Sequence, residues 1–142
     1  MGCVYTIGYE GRTAEEFLRE LKGHKVKRLV DVRERAFSWK KGFSKTALSL
    51  ALNGAGIEYV HMPALGSPAE LRKELYKKGD YDCFFRDYAK HLAARGESLG
   101  QLKELAGSKA SAIMCFERDP GKCHRSIIAS ELGQGTAEVL HL

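Results

Sequence analysis

Short apolar runs alternate with segments of helical periodicity along this 142-residue chain, and that alternation restricts the fold more than any other feature. Residues 3–7 are rich in β-branched and aromatic side chains and stop at Gly8, as a strand does. Thr13-Ala14-Glu15-Glu16 then opens a helix, with Thr13 as N-cap and Glu16 in the capping-box position, and Gly23 closes it. Residues 28–32 and 57–60 read as further strands on either side of a helix over 44–52. Helical patterns follow over 68–78, 82–95 and 99–105, then a strand over 110–116, a helix over 123–132 and a last strand over 137–142. Strands alternating with helices build βαβ units and a parallel sheet. The expectation is a single α/β domain over residues 1–142, a mainly parallel five-stranded, Rossmann-like sheet with helices on both faces. Val4, Tyr5 and Ile7 make strand one apolar on both sides, which places it at the centre.

Composition narrows the functional classes. Hydrophobic residues are 44% and charged residues 29%, which excludes disordered and low-complexity character. Lys and Arg number 23 against 18 Asp and Glu, a net charge of +5 that favours anionic partners such as phosphates, nucleotides or nucleic acid. No segment approaches the roughly 20 apolar residues needed to span a bilayer, and the first residues lack a signal-peptide pattern. A cytoplasmic chain with reduced thiols is therefore expected, although four cysteines would suffice for two disulfides.

In open parallel sheets, ligands bind beyond the carboxyl ends of the strands. The loops that begin there, at Gly8, Asp31, His61 and Phe116, are also the chemically richest parts of the chain. Gly8-Tyr9-Glu10-Gly11 allows close backbone approach to a ligand, without being a dinucleotide or Walker motif. Asp31 ends an apolar strand and needs a cationic partner, Arg33 or Arg125, to be tolerated there. The stretch from Arg33 to Lys45 interleaves basic and aromatic residues, a pattern that can stack bases and grip phosphates or form a lid. Its buried anchor is Trp39 or Phe43.

The strongest segment runs from Cys115 through Glu117 and Pro120-Gly121 to Cys123-His124-Arg125. A thiol at a helix start beside basic residues is stabilised as thiolate. His124 can act as acid or base, and Arg125 can hold an oxyanion through parallel hydrogen bonds. Cys115, Cys123 and His124 are thus the catalytic candidates. Gly8, Asp31, Arg33, Glu117 and Arg125 are the candidates for holding an anionic ligand. The C-x7-C-H spacing matches no usual structural zinc pattern, so neither metal nor cofactor is expected.

These residues carry a resemblance. Thr6-Ile7-Gly8, Asp31-Val32-Arg33, Phe43 with Lys45, Tyr59-Val60-His61 with Leu65-Gly66, Cys115 followed by Glu117, Cys123-His124-Arg125 and Val139-Leu140-His141 together resemble the domain of unknown function 488 family. That resemblance covers nearly the whole chain and implies a small stand-alone α/β protein, with no agreed reaction. Gly8-Tyr9-Glu10 stands where the family often has Gly-His-Ser, and Leu65-Gly66-Ser67 where it has Leu-Gly-Gly. A partial similarity to rhodanese-like domains rests on residues 29–34 and on Ile113-Met114-Cys115 with Arg125-Ser126, although the interval from Cys115 to Arg125 is longer than their catalytic loop. Three functions follow as expectations: an enzyme-like protein binding a small anionic ligand, a nucleic-acid-binding module built on Arg33–Lys45, and a sulfurtransferase with a cysteine nucleophile.

Overall fold

All five expected strands form, and they lie in one parallel sheet. The computed structural model describes residues 3–133 and 138–142, so Ala137, expected to open the last strand, lies outside the described residues. The strands are β1 (Cys3–Gly8), β2 (Arg28–Asp31), β3 (Glu58–His61), β4 (Ser111–Cys115) and β5 (Glu138–His141), in the order β3-β2-β4-β1-β5. The helices are α1 (Ala14–Gly23), α2 (Lys45–Gly54), α3 (Ala69–Lys78), α4 (Tyr81–Ala93), α5 (Gly96–Ser108) and α6 (Arg125–Gly133). Thr13 caps α1 as its sequence demands: its side chain accepts from the Glu16 amide while the Glu16 carboxylate accepts from the Thr13 amide.

The centre of the sheet corrects one expectation. β4 occupies it, not strand one, and all five β4 residues are buried, while the edge strands β3 and β5 are mostly half-buried or exposed. β1 lies one place further out, between β4 and β5. Strand one is apolar because any interior strand must be; centrality follows from where the chain returns after α5, which local composition does not encode.

Helices cover both faces through the two-residue period of the strands. Ala112 and Met114 of β4 pack with Phe17 and Leu21 of α1 and Leu48 and Leu52 of α2. Ile113 and Cys115 point the other way, into Tyr88 and Leu92 of α4, Leu102 of α5, and Ile128 and Leu132 of α6. No helix among the described residues is long and apolar enough to cross a membrane.

Two glycines let the strand-end loops cross at the carboxyl edge. A Cβ on Gly8 would overlap the Glu117 carbonyl, and one on Gly66 would overlap the Glu34 amide. Gly8→Ala or Gly66→Ala should lower stability by about 3 kcal/mol, since backbone cannot yield as a side chain does. Gly54→Ala, in open space at the end of α2, should leave stability equal or slightly higher. Urea midpoints of the three variants check this; equal values for all three would refute the crossing constraint.

Candidate functional site

Parallel pairing brings the strand ends to one edge. The register sets Gly8 beside Cys115, and Asp31 beside both Met114 and His61. The loops continue the pairing past the strands, with Tyr9 N donating to Cys115 O at 3.2 Å, Glu10 N to Phe116 O at 2.8 Å and Met62 N to Asp31 O at 2.9 Å. The expected site residues therefore share one edge, as βαβ topology requires.

Asp31 has no solvent exposure, and its carboxylate is fully engaged. Arg33 donates to it through Nε at 2.9 Å, Nη2 at 2.7 Å and its own amide at 3.1 Å, and the Tyr59 hydroxyl donates at 2.7 Å. The expected partner was Arg33 or Arg125, and the structure selects Arg33. Burial alone would lower the Arg33 pKa, but the hydrogen bonds and charge of Asp31 outweigh it and raise it, so this guanidinium stays charged. Burial, together with the Asp31 contact, raises the Tyr59 hydroxyl pKa and keeps it a donor.

Arg33 forms part of the floor of an open cavity of about 260 Å3. Arg35, Arg72, Glu34, Ser67 and Glu117 supply its polar lining, and Tyr9, Phe37, Tyr76 and Phe116 its aromatic walls, with His124 behind them. Tyr9 is held rigidly: it stacks on Phe43 at 4.5 Å between centroids, meets the edge of Phe116 at 5.3 Å, and lies beneath the Arg33 guanidinium. Phe43 is fully buried and is the loop's anchor, whereas Trp39 is 94% exposed and meets Phe37 edge-on. Burial raises the Glu117 carboxyl pKa against the pull of Arg125.

The Cys115–Arg125 segment is arranged differently from its sequence reading. Cys115 and Cys123 are joined as a disulfide, which corrects the expectation of reduced thiols throughout; Cys83 is free and half-buried. The turn at Pro120–Lys122 folds the chain back so that the end of β4 meets the residue two before α6. Each of the two sulfurs belongs to a residue only 1% exposed, so neither is presented to a substrate. Arg125, with no exposure, donates through Nη1 to the Glu117 carbonyl and to Cys115 Sγ at 3.2 Å, and through Nη2 to the Arg118 carbonyl at 2.9 Å. Its guanidinium thus holds the 117–118 loop, and Nε has no partner. His124 Nε2 donates to the Val32 carbonyl at 2.9 Å, and burial lowers its pKa to about 4, so the ring is neutral at pH 7. Of the candidates, Arg33, Glu117 and His124 line the cavity; Gly8, Asp31, Cys115, Cys123 and Arg125 build the walls behind it.

Sequence reading missed the contributions of Tyr9, Ser67, Arg72 and Tyr76. Arg72 and Tyr76 stand four apart on α3, hence on one helix face, a spacing visible in the sequence but mute until α3 is placed over the edge. Arg72 donates to the Ser67 carbonyl and lies 3.6 Å from Glu34, which fixes the helix start to the loop after Arg33.

A parallel α/β domain with a basic, aromatic-walled cleft at its carboxyl edge is the class of protein that this fold and site define. The family model described as Domain of unknown function DUF488 matches residues 13–132, and the chain belongs to that family. No curated protein and no solved structure matches the chain.

Replacing Asp31 tests the pair under the cleft. Asp31→Asn should cost about 3–5 kcal/mol, because it leaves a buried guanidinium without its counter-charge. Adding Arg33→Met should restore part of that loss in chemical denaturation, whereas two losses that simply add would show the pair to be uncoupled.

Proposed function

We propose that the cleft binds a small anionic ligand of the phosphate or nucleotide type. The observation that carries this reading is the meeting of Arg35 and Arg72, beside the Asp31-paired Arg33, with four aromatic rings in one cavity at the carboxyl edge. Guanidinium groups suit phosphate through paired hydrogen bonds, and exposed rings suit a planar base. Phe37, Phe116 and Tyr76 are 50%, 44% and 76% exposed, an arrangement that costs water contact unless something planar covers it. A volume of about 260 Å3 suits a small ligand of which one part remains at the aromatic rim. α3 begins at this cavity with Pro68 as an N-cap that offers no side-chain acceptor, so its first amides add to the favourable field for an anion. Glu117 is the group placed to move a proton if turnover occurs, and the setting we infer is the cytoplasm.

A second reading rests on Trp39. Its 94% exposure beside Phe37, with Lys40, Lys41 and Lys45 nearby in sequence, extends the aromatic and basic surface beyond the cavity and suits single-stranded nucleic acid. The sulfurtransferase alternative finds no exposed sulfur at Cys115 or Cys123.

Trp39 is the single tryptophan, so its fluorescence reports on the cleft rim. Titration with a nucleoside monophosphate should change that emission at lower concentration than inorganic phosphate does. Arg72→Ala should weaken the nucleotide about tenfold or more, the usual loss for a hydrogen bond to a charged group. Binding of short oligonucleotides with a steep salt dependence, and none of mononucleotides, would favour the second reading. No response to any of these ligands would remove both.

A further inference from the structure

We infer that Cys115, Cys123 and His124, once the disulfide is reduced, form a binding site for a zinc-like divalent metal ion at the back wall of the anion cleft, which His124 also lines. The two sulfurs and a ring nitrogen of His124 lie within 4.8 Å of one another, and all three residues are buried. Two thiolates and one imidazole are the donors that a borderline-soft ion selects.

Three features of the disulfide form point to this ion. First, the Cα atoms of Cys115 and Cys123 are 7.5 Å apart, beyond the span of about 4.4–6.8 Å usual for a disulfide, and a separation that an ion between two thiolates accommodates. Second, His124 Nε2 faces the Val32 carbonyl, which can only accept, so Nε2 carries the proton and Nδ1 the lone pair. That lone pair lies 3.6 Å from Cys123 Sγ, which has no hydrogen to donate while it is bonded to sulfur. A backbone carbonyl on the far nitrogen is the usual way in which a metal-ligating imidazole is oriented. Tyr88 buttresses the ring from α4, edge-on at 5.1 Å. Third, the buried Arg125 has no carboxylate at ion-pair distance among the described residues and one orphaned nitrogen, yet its Nη1 lies against Cys115 Sγ. A metal-bound thiolate gives this cation the negative partner that a disulfide sulfur does not.

Formation of the site balances simply. A phosphine or thiol reductant delivers two electrons, and with two protons from solvent the Cys115–Cys123 bond becomes two thiols. The metal ion then displaces both thiol protons to solvent and takes the Nδ1 lone pair. Three protein ligands leave the fourth tetrahedral position to an exogenous ligand, as in zinc sites of the two-cysteine, one-histidine kind.

The test uses Co2+ as probe on the whole reduced chain, kept free of oxygen. One equivalent should bind, with sulfur-to-cobalt charge-transfer absorption and the visible bands of a tetrahedral site, both lost on adding Zn2+. Mapped alkylation should show Cys115 and Cys123 protected by the metal and Cys83 unaffected. Cys83→Ser should retain the spectrum, and Cys123→Ser should lose charge-transfer intensity. Should Cys123→Ser not fold, the wild-type protection pattern decides. Absence of the absorption, or unchanged alkylation of Cys115 and Cys123 with metal present, overturns the proposal and leaves a dithiol–disulfide pair.

Discussion

The carboxylate of Asp31 is the group on which the carboxyl edge depends. An ionised oxygen pair at the end of a parallel strand has no water to solvate it, and the sheet's own amides are committed to the ladder. Its solution is local and complete: one guanidinium, one amide and one phenol donate to it. Because the guanidinium comes from Arg33, two residues on, the turn after β2 is fixed by the same bonds that satisfy the charge. Because the phenol comes from Tyr59, β2 and β3 are also joined by side chains. Arg33 then lies over Tyr9, which ties the end of β1 to that of β2 across the intervening β4.

The opposite wall is built on the same logic with the signs exchanged. Here the buried charge is the cation Arg125, and its donors are spent on backbone carbonyls of residues 117 and 118. The result is a loop held from beneath, with its backbone pressed against Gly8, where a side chain would not fit. Glu117 and Phe116 are thereby presented to the cleft, while His124 bridges to Val32 from behind. The cleft owes its form to two buried charges, each satisfied mainly by groups that are not themselves available to a ligand. The cavity's remaining arginines, Arg35 and Arg72, lie at its more exposed side.

Much of this architecture was legible in the chain. The capping box at Thr13, the apolar runs of β2 and β4, and the need of Asp31 for an arginine are local statements, decided by neighbours a few residues away. The strand ends stand out as the candidate site because polar residues cluster where apolar runs stop. The placement of β4 at the centre was not legible, nor the choice of Phe43 over Trp39 as anchor. Both depend on which surface the chain meets after a long connection, and periodicity is silent on that. Arg125 looked like a ligand-holding residue because its position before a helical run is shared by many anion sites. The structure gives those donors to the 117–118 carbonyls, contacts made by folding a loop back and invisible in any spacing.

The cysteines show the boundary most clearly. By itself, the sequence determined the element types, the α/β class, the alternation of buried faces and the concentration of chemistry in four loops, because hydrophobic period and turn residues act over short range. Only the tertiary structure decided that Cys115 and Cys123 meet, that His124 turns its proton towards Val32, and that Arg72 and Tyr76 of α3 complete the cleft. Those contacts join residues through the sheet, and their partners are set by strand order and helix placement. A spacing of seven residues between two cysteines matches no usual structural zinc pattern, yet a short turn and one strand end bring their sulfurs together.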